Sequence, residues 1–289
     1  MPSIADLASV QTSVQTSVQN SDLNRTPPAQ NDLAPDAASA LAHRLDQQLE
    51  HEPDLTQRLR LIRDQISGRI AFSTSLGIED QAVLHAIAEA GGDFDVFTLD
   101  TGRHFPETLD TLDASENRYG LKIRVMFPDA RDVEELVARD GIYGFRAAVE
   151  NRKACCDIRK VRPLNRALAG ASAWITGLRR QQSDGRAHVP FAVYDPVQKL
   201  IKLNPMADWT LSQLEGYVAA NAIPINALHA QGFASIGCQP CTRAIAPGED
   251  IRAGRWWWEN EDGKECGLHN RPDPLKVGTK TTAANEGQK

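Results

Sequence analysis

The chain has 289 residues, 41% hydrophobic and 24% charged, with a formal net charge of −6. That is enough apolar material for a substantial core in one or two domains, and the acidic balance argues against broad nucleic-acid binding. No apolar run approaches the roughly 20 residues that span a bilayer, and the N-terminus lacks the cationic start and apolar stretch of a secretory signal; no membrane partner and a cytoplasmic location are expected. In that compartment the five cysteines read as ligands or catalysts rather than disulfides.

Residues 1–40 are rich in Ser, Thr, Gln, Asn, Ala and Pro, too poor in apolar bulk to offset ordering entropy, and read as a disordered arm. Ile70-Ala71-Phe72 reads as a strand, followed by the small-residue turn Ser73 to Gly77 and a helix carrying Val83, Leu84 and Ile87, stopped at Gly91-Gly92. Phe94 to Leu99 is the next strand; Pro106 opens a helix that ends near Gly120. Ile123 to Phe127 alternates as a third strand before a helix with Val133, Leu136 and Val137. Ile158 to Leu168 reads as a helix, and Ala173 to Thr176 and Leu200 to Leu203 as strands. Thr210 with Gln213 forms a capping box for a helix through Leu214 and Val218. The alternation predicts an α/β fold: a single doubly wound, mostly parallel sheet with helices on both faces. The expected organisation is an α/β nucleotide- and cluster-binding domain over 41–250, a mobile C-terminal segment over 251–271 and a flexible tail over 272–289.

In such sheets ligands bind beyond the carboxyl ends of the strands. Ser73 to Gly77 offers hydroxyls and helix-start amides there, the chemistry of a phosphate cradle, although an ordinary strand-to-helix turn reads equally well and no Walker Gly-Lys-Ser/Thr is present. Cys155-Cys156 and Cys238-Gln239-Pro240-Cys241 give four thiols in two pairs, a count that suits zinc, an iron–sulfur cluster or a reduced structural set. Cys266, alone on a Gly-flanked polar segment with His269 three residues on, is a candidate nucleophile. Trp256-Trp257-Trp258 reads as a hydrophobic dock for the C-terminal segment in preference to a base-stacking platform.

Taken together, Cys155-Cys156, Cys238 to Cys241 and Lys264-Glu265-Cys266-Gly267-Leu268-His269, supported by the Ser73 loop and Leu99-Asp100-Thr101-Gly102, resemble the assimilatory adenylyl-sulfate (APS) reductase family. Its relatives are the 3′-phosphoadenylyl-sulfate (PAPS) reductases and the PP-loop ATP pyrophosphatases. The resemblance implies a 4Fe-4S cluster on Cys155, Cys156, Cys238 and Cys241. It implies APS as substrate, since the PAPS-specific branch lacks both pairs, and thioredoxin or a similar dithiol donor as partner. Cys266 would be the nucleophile, and Lys160, Arg252, Arg255 and His269 would face the phosphosulfate. Ser73, Ser75, Gly77, Leu99 and Gly177 would hold the adenosine, and Arg179 would open a closing loop that runs to Pro190. PAPS reduction and a zinc-stabilised nucleotide-binding protein without turnover are the alternatives, and homo-oligomerisation is left open.

Overall fold

The computed structural model describes residues 34–259. Six strands form one sheet: β1 (Ile70–Thr74), β2 (Phe94–Leu99), β3 (Arg124–Met126), β4 (Ala173–Ile175), β5 (Ala192–Asp195) and β6 (Leu200–Leu203). Their order is β3-β2-β1-β4-β6-β5. All neighbours are parallel except β5, which runs antiparallel to β6. The sequence reading placed five of these strands and missed β5, whose four residues carry no alternation long enough to register.

The central strand β1 is apolar on both sides, and its side chains feed two cores. Phe72 and Ile175 point to one face, where Leu45 of α1 (Pro35–His51), Leu59 of α2 (Leu55–Gln65), Val83 of α3 (Ile78–Ala90) and Leu214 of α8 (Leu211–Ala220) cover them. Ala71, Phe97 and Trp174 point to the other, against Leu164 and Leu168 of α7 (Arg162–Leu168). The period-2 alternation of the strands thus sorts side chains between helical layers. Helix α4 (Pro106–Tyr119) starts on proline and ends at Gly120 in the left-handed conformation, and the Thr210–Gln213 capping box opens α8.

Two boundaries differ from the sequence reading. Helix α1 begins at Pro35, inside the stretch assigned to the arm, because Ala38, Ala42, Leu45 and Leu49 give it a buried face; residues 1–33 lie outside the described residues. The helix expected from Ile158 begins earlier, as α6 (Val149–Cys156), widens into a π-helical turn at Asp157–Val161 and continues as α7. Pro163 accounts for the widening: it supplies no N–H and its ring would crowd the carbonyl four residues back in a regular α-helix. A further helix, α5 (Ala130–Asp140), precedes this rod.

From β1 the chain winds outward through β2 to β3, then returns to the other side of β1 for β4 and β6. The reversal lies between β1 and β4, and the crevice at their carboxyl ends is where such a sheet receives a ligand.

Candidate active site

A cleft of about 230 Å3 opens at that reversal. Its floor is Ser73, Thr74, Ser75 and Gly77 after β1, Leu99 and Thr101 after β2, and Thr176, Gly177 and Leu178 after β4. Lys160, Arg186, Arg252 and Arg255 bring four cations to its walls. Lys160 stands on the π-helical turn, so the widened helix delivers a lysine to the cleft one turn after Cys155 and Cys156.

The Ser73 loop is held from within. Trp174 Nε1–H donates to Ser73 Oγ at 2.8 Å, and Ser75 donates both its N–H and its Oγ–H to Asp80 Oδ2, at 2.6 and 2.5 Å. Leu76, at φ +60°, donates its N–H to Thr74 Oγ1. The Ser75 donors are therefore engaged by Asp80, and anion-binding capacity falls to the first-turn amides of α3, which begins at Gly77 without a side-chain cap. The Asp80 carboxyl also accepts from the Gly177 amide, linking the β1 and β4 loops, and its burial raises its pKa from 3.8 to about 6. A Cβ on residue 177 would collide with Asp80 Oδ1, which explains the glycine.

Two histidines in the cleft were not singled out from sequence. His104 Nε2–H donates to the Leu99 carbonyl at 2.9 Å and His229 Nδ1–H to the Phe233 carbonyl at 2.9 Å. Burial lowers both pKa values, so each ring is neutral and its second nitrogen, buried without a partner, is an acceptor. An isolated His at a strand exit has no spacing partner to mark it in the sequence.

Eight of the nine residues expected to meet a substrate line the cleft: Lys160, Arg252, Arg255, Ser73, Ser75, Gly77, Leu99 and Gly177. Arg179, the ninth, lies elsewhere. It is 1% exposed and does not line the cleft; it donates to Glu79 Oε1 at 2.8 Å and to the Trp209 carbonyl at 3.3 Å, so it fixes Glu79 from behind. The cation that the following loop contributes is Arg186, bonded to Gln182 Oε1 at 2.6 Å. Arg255 is itself positioned, stacked 4.8 Å from the Trp256 ring and donating to Ser235 Oγ at 3.2 Å. Cys266 and His269 lie outside the described residues.

Cys155, Cys238 and Cys241 lie near one another beside this wall, and Cys156 follows Cys155 at the end of α6. Cys238 Sγ is 3.3 Å from Thr101 Oγ1, and Cys241 closes the short turn Gln239–Cys241. Burial, with Cys238 nearby, pushes the Cys241 thiol up to about 12, and burial also raises Cys155 against the pull of Arg159 and Arg103. Lys160 lines the cleft, and its charge acts on both Cys241 and His104. The chain then runs on to Trp256, which is buried, and Trp257, which is partly exposed.

The model of the phosphoadenosine phosphosulfate reductase domain matches residues 69–244, more than half of the chain. The chain belongs to this family. Among its relatives, the adenosine 5′-phosphosulfate reductase of Sinorhizobium fredii is 53% identical over 216 residues, 75% of this chain and 86% of that protein. The enzyme of the same name from Neisseria meningitidis is 46% identical over 222 residues, 76% of this chain and 89% of that protein. A solved phosphoadenylyl-sulfate reductase from Candida auris superposes with a TM-score of 0.62 at 23% identity, covering 75% of this chain and all of that one, and shares the fold. Among the described residues no helix is long and apolar enough to cross a membrane.

Proposed function

We propose that the protein reduces adenylyl sulfate to sulfite and AMP in sulfate assimilation, with Cys266 as nucleophile. The observation that carries this reading is the convergence of Lys160, Arg252 and Arg255 on one cleft at the sheet's reversal, beside two cysteine pairs. The family and the name shared by its relatives support it. The nucleotide would lie over the β1 and β4 loops, its phosphosulfate toward the cations. The Cys266 thiolate attacks the sulfur of the phosphosulfate; the S–O bond breaks, its electron pair leaves with AMP, and Cys266 carries an S-sulfo group. Lys160, Arg252 and Arg255 compensate the charge that builds on the departing phosphate. A dithiol protein of the thioredoxin type then attacks the Cys266 sulfur and releases sulfite. Its second thiol resolves the mixed disulfide, so the donor leaves oxidised and Cys266 is restored.

Cys155, Cys156, Cys238 and Cys241 would be the ligands of an iron–sulfur cluster, with a structural zinc ion as the alternative. Cys238 acts on the ionisation of both Cys155 and Cys241, so these three thiols are near neighbours. The resemblance to the adenylyl-sulfate reductases favours the cluster, whose ligands are thiolates. Such a group would supply a fixed local charge beside Lys160, and the electrons for reduction come from the dithiol. Anaerobically purified protein should be brown and contain iron and acid-labile sulfide; colourless protein with stoichiometric zinc would overturn the cluster.

The test of the reaction is incubation with 35S-labelled adenylyl sulfate followed by non-reducing electrophoresis. Wild type should retain label that reduced thioredoxin releases as sulfite, and Cys266→Ser should retain none. Equal labelling of the two would remove the nucleophile, and faster turnover on the 3′-phosphorylated nucleotide would reverse the substrate assignment.

A further inference from the structure

We propose that a buried ion pair, Arg152 with Glu259, positions the segment that carries Cys266, making Arg152 and Glu259 positioning residues for the thiol-transfer step. The proposal rests on Cys266 being the nucleophile.

Arg152 Nε donates to Glu259 Oε1 at 2.6 Å, with side chains 1% and 7% exposed. Two such charges stay desolvated only as partners, since either alone would be an uncompensated buried charge. The Arg152 guanidinium stacks 4.4 Å from the centre of the Trp256 ring, and Arg255 lies 4.8 Å from the same centre. Trp256 is 1% exposed and has φ +42°, a backbone region that a bulky residue keeps only when its surroundings dictate it. Its N–H donates to the Cys241 carbonyl at 3.1 Å, Arg243 N–H donates to the Gly254 carbonyl at 3.0 Å, and Thr242 pairs with Arg255.

These contacts converge on both cysteine-bearing elements. Arg152 lies three and four residues before Cys155 and Cys156 on α6, hence on their side of the helix. Cys241 belongs to the second pair. The chain from Gly254 to Glu259 is thus fastened both to α6, which carries Cys155 and Cys156, and to the Cys241 backbone, and Arg255, a wall of the cleft, is part of the fastening. Six residues lie between Glu259 and Cys266, so a chain of seven steps joins them and reaches at most about 25 Å. Fixing its root sets the effective concentration of the thiol at the cleft, without any contact between the pair and the substrate.

The test compares wild type with Glu259→Gln, Glu259→Asp and Arg152→Lys, purified anaerobically. Three quantities are read: AMP affinity, iron content, and the single-turnover rate of 35S transfer from saturating adenylyl sulfate to Cys266. Glu259→Gln should keep AMP affinity within about twofold and iron content unchanged while transfer slows about tenfold or more, as expected when only a transition-state alignment is lost. Glu259→Asp, which keeps the charge, should recover part of the rate; Arg152→Lys, which loses the planar stack on Trp256, should fall between. Normal transfer in Glu259→Gln would overturn the proposal. So would a parallel fall in AMP affinity and iron content in all three variants, since the pair would then serve the body alone. An unlabelled wild type would instead overturn the nucleophile on which the proposal rests.

Discussion

Asp80 holds the two halves of the cleft together at a cost that depends on pH. Its carboxyl ionises near 3.8 when unfolded and at about 6 when folded, because burial penalises the charge more than the Ser75 and Gly177 contacts favour it. The unfolded state therefore releases its proton first, and stability falls as pH rises from about 4 to 6, by about 3 kcal/mol for this group at 1.36 kcal/mol per unit. Asp80→Asn should remove that slope from the thermal unfolding of ligand-free protein between pH 4 and 7. It should also weaken AMP binding about tenfold, since an amide offers one acceptor oxygen where the carboxylate offers two. A retained slope would mean that another group, not Asp80, produces it. In the sequence Asp80 reads as one of two acids in a first helical turn, a common dipole-related placement; its reach back to Ser75 is a property of the fold. The arginines show the same limit. Arg179 and Arg186 are indistinguishable by type, and only the packing turns the first behind Glu79 and the second into the cleft.

The helices and strands deliver these groups by close approach. Gly177 lets β4 pass α3 with no room for a methyl, so Gly177→Ala should push the β4 loop away from Asp80 and reduce AMP affinity at least about tenfold with a destabilisation of about 1–3 kcal/mol. Loss of stability without loss of affinity would show that the loop relaxes harmlessly. Helix α2 is fastened differently. Arg58 is buried, bonds both oxygens of Asp208 and the carbonyls of Glu52 and Pro205, and lies 4.6 Å from the Phe191 ring centre. Arg58→Ala should lower stability by about 1–3 kcal/mol in denaturant titration, since the Asp208 left behind is 40% exposed, while the remaining folded fraction binds AMP normally. Neither α1 nor α2 was assigned from periodicity, though the apolar stripe Leu45, Leu49, Leu55, Leu59, Ile62 is there; the central alternation was legible because each strand ends in a small-residue turn. The rod α6–α7 was half legible, since Ile158, Leu164 and Leu168 mark its later turns, whereas nothing in the sequence marks Arg152 as buried, and it is 1% exposed.

On the scale of the whole molecule, a chain of net charge −6 concentrates Lys160, Arg186, Arg252 and Arg255 around one opening. The attraction is local and screenable: raising salt from about 50 to about 500 mM should weaken AMP binding about tenfold, measured by titration calorimetry, and a flat response would mean that the nucleotide is held by the loops alone. The sequence carried the family pattern and the sheet, because cysteine spacing and strand–turn–helix punctuation are local; it could not carry the pairing of Arg152 with Glu259, which are over a hundred residues apart. The sheet's margins carry one more consequence. At one side β3 has three residues, with Arg124 held to Asp95. At the other, the Asp46 carboxylate on α1 takes the amides of Phe191 and Ala192 where β5 begins. Strands of a second molecule find little free backbone to extend at either border, so any self-association among the described residues would proceed by matching side-chain surfaces, and polymerisation by strand addition is disfavoured by construction.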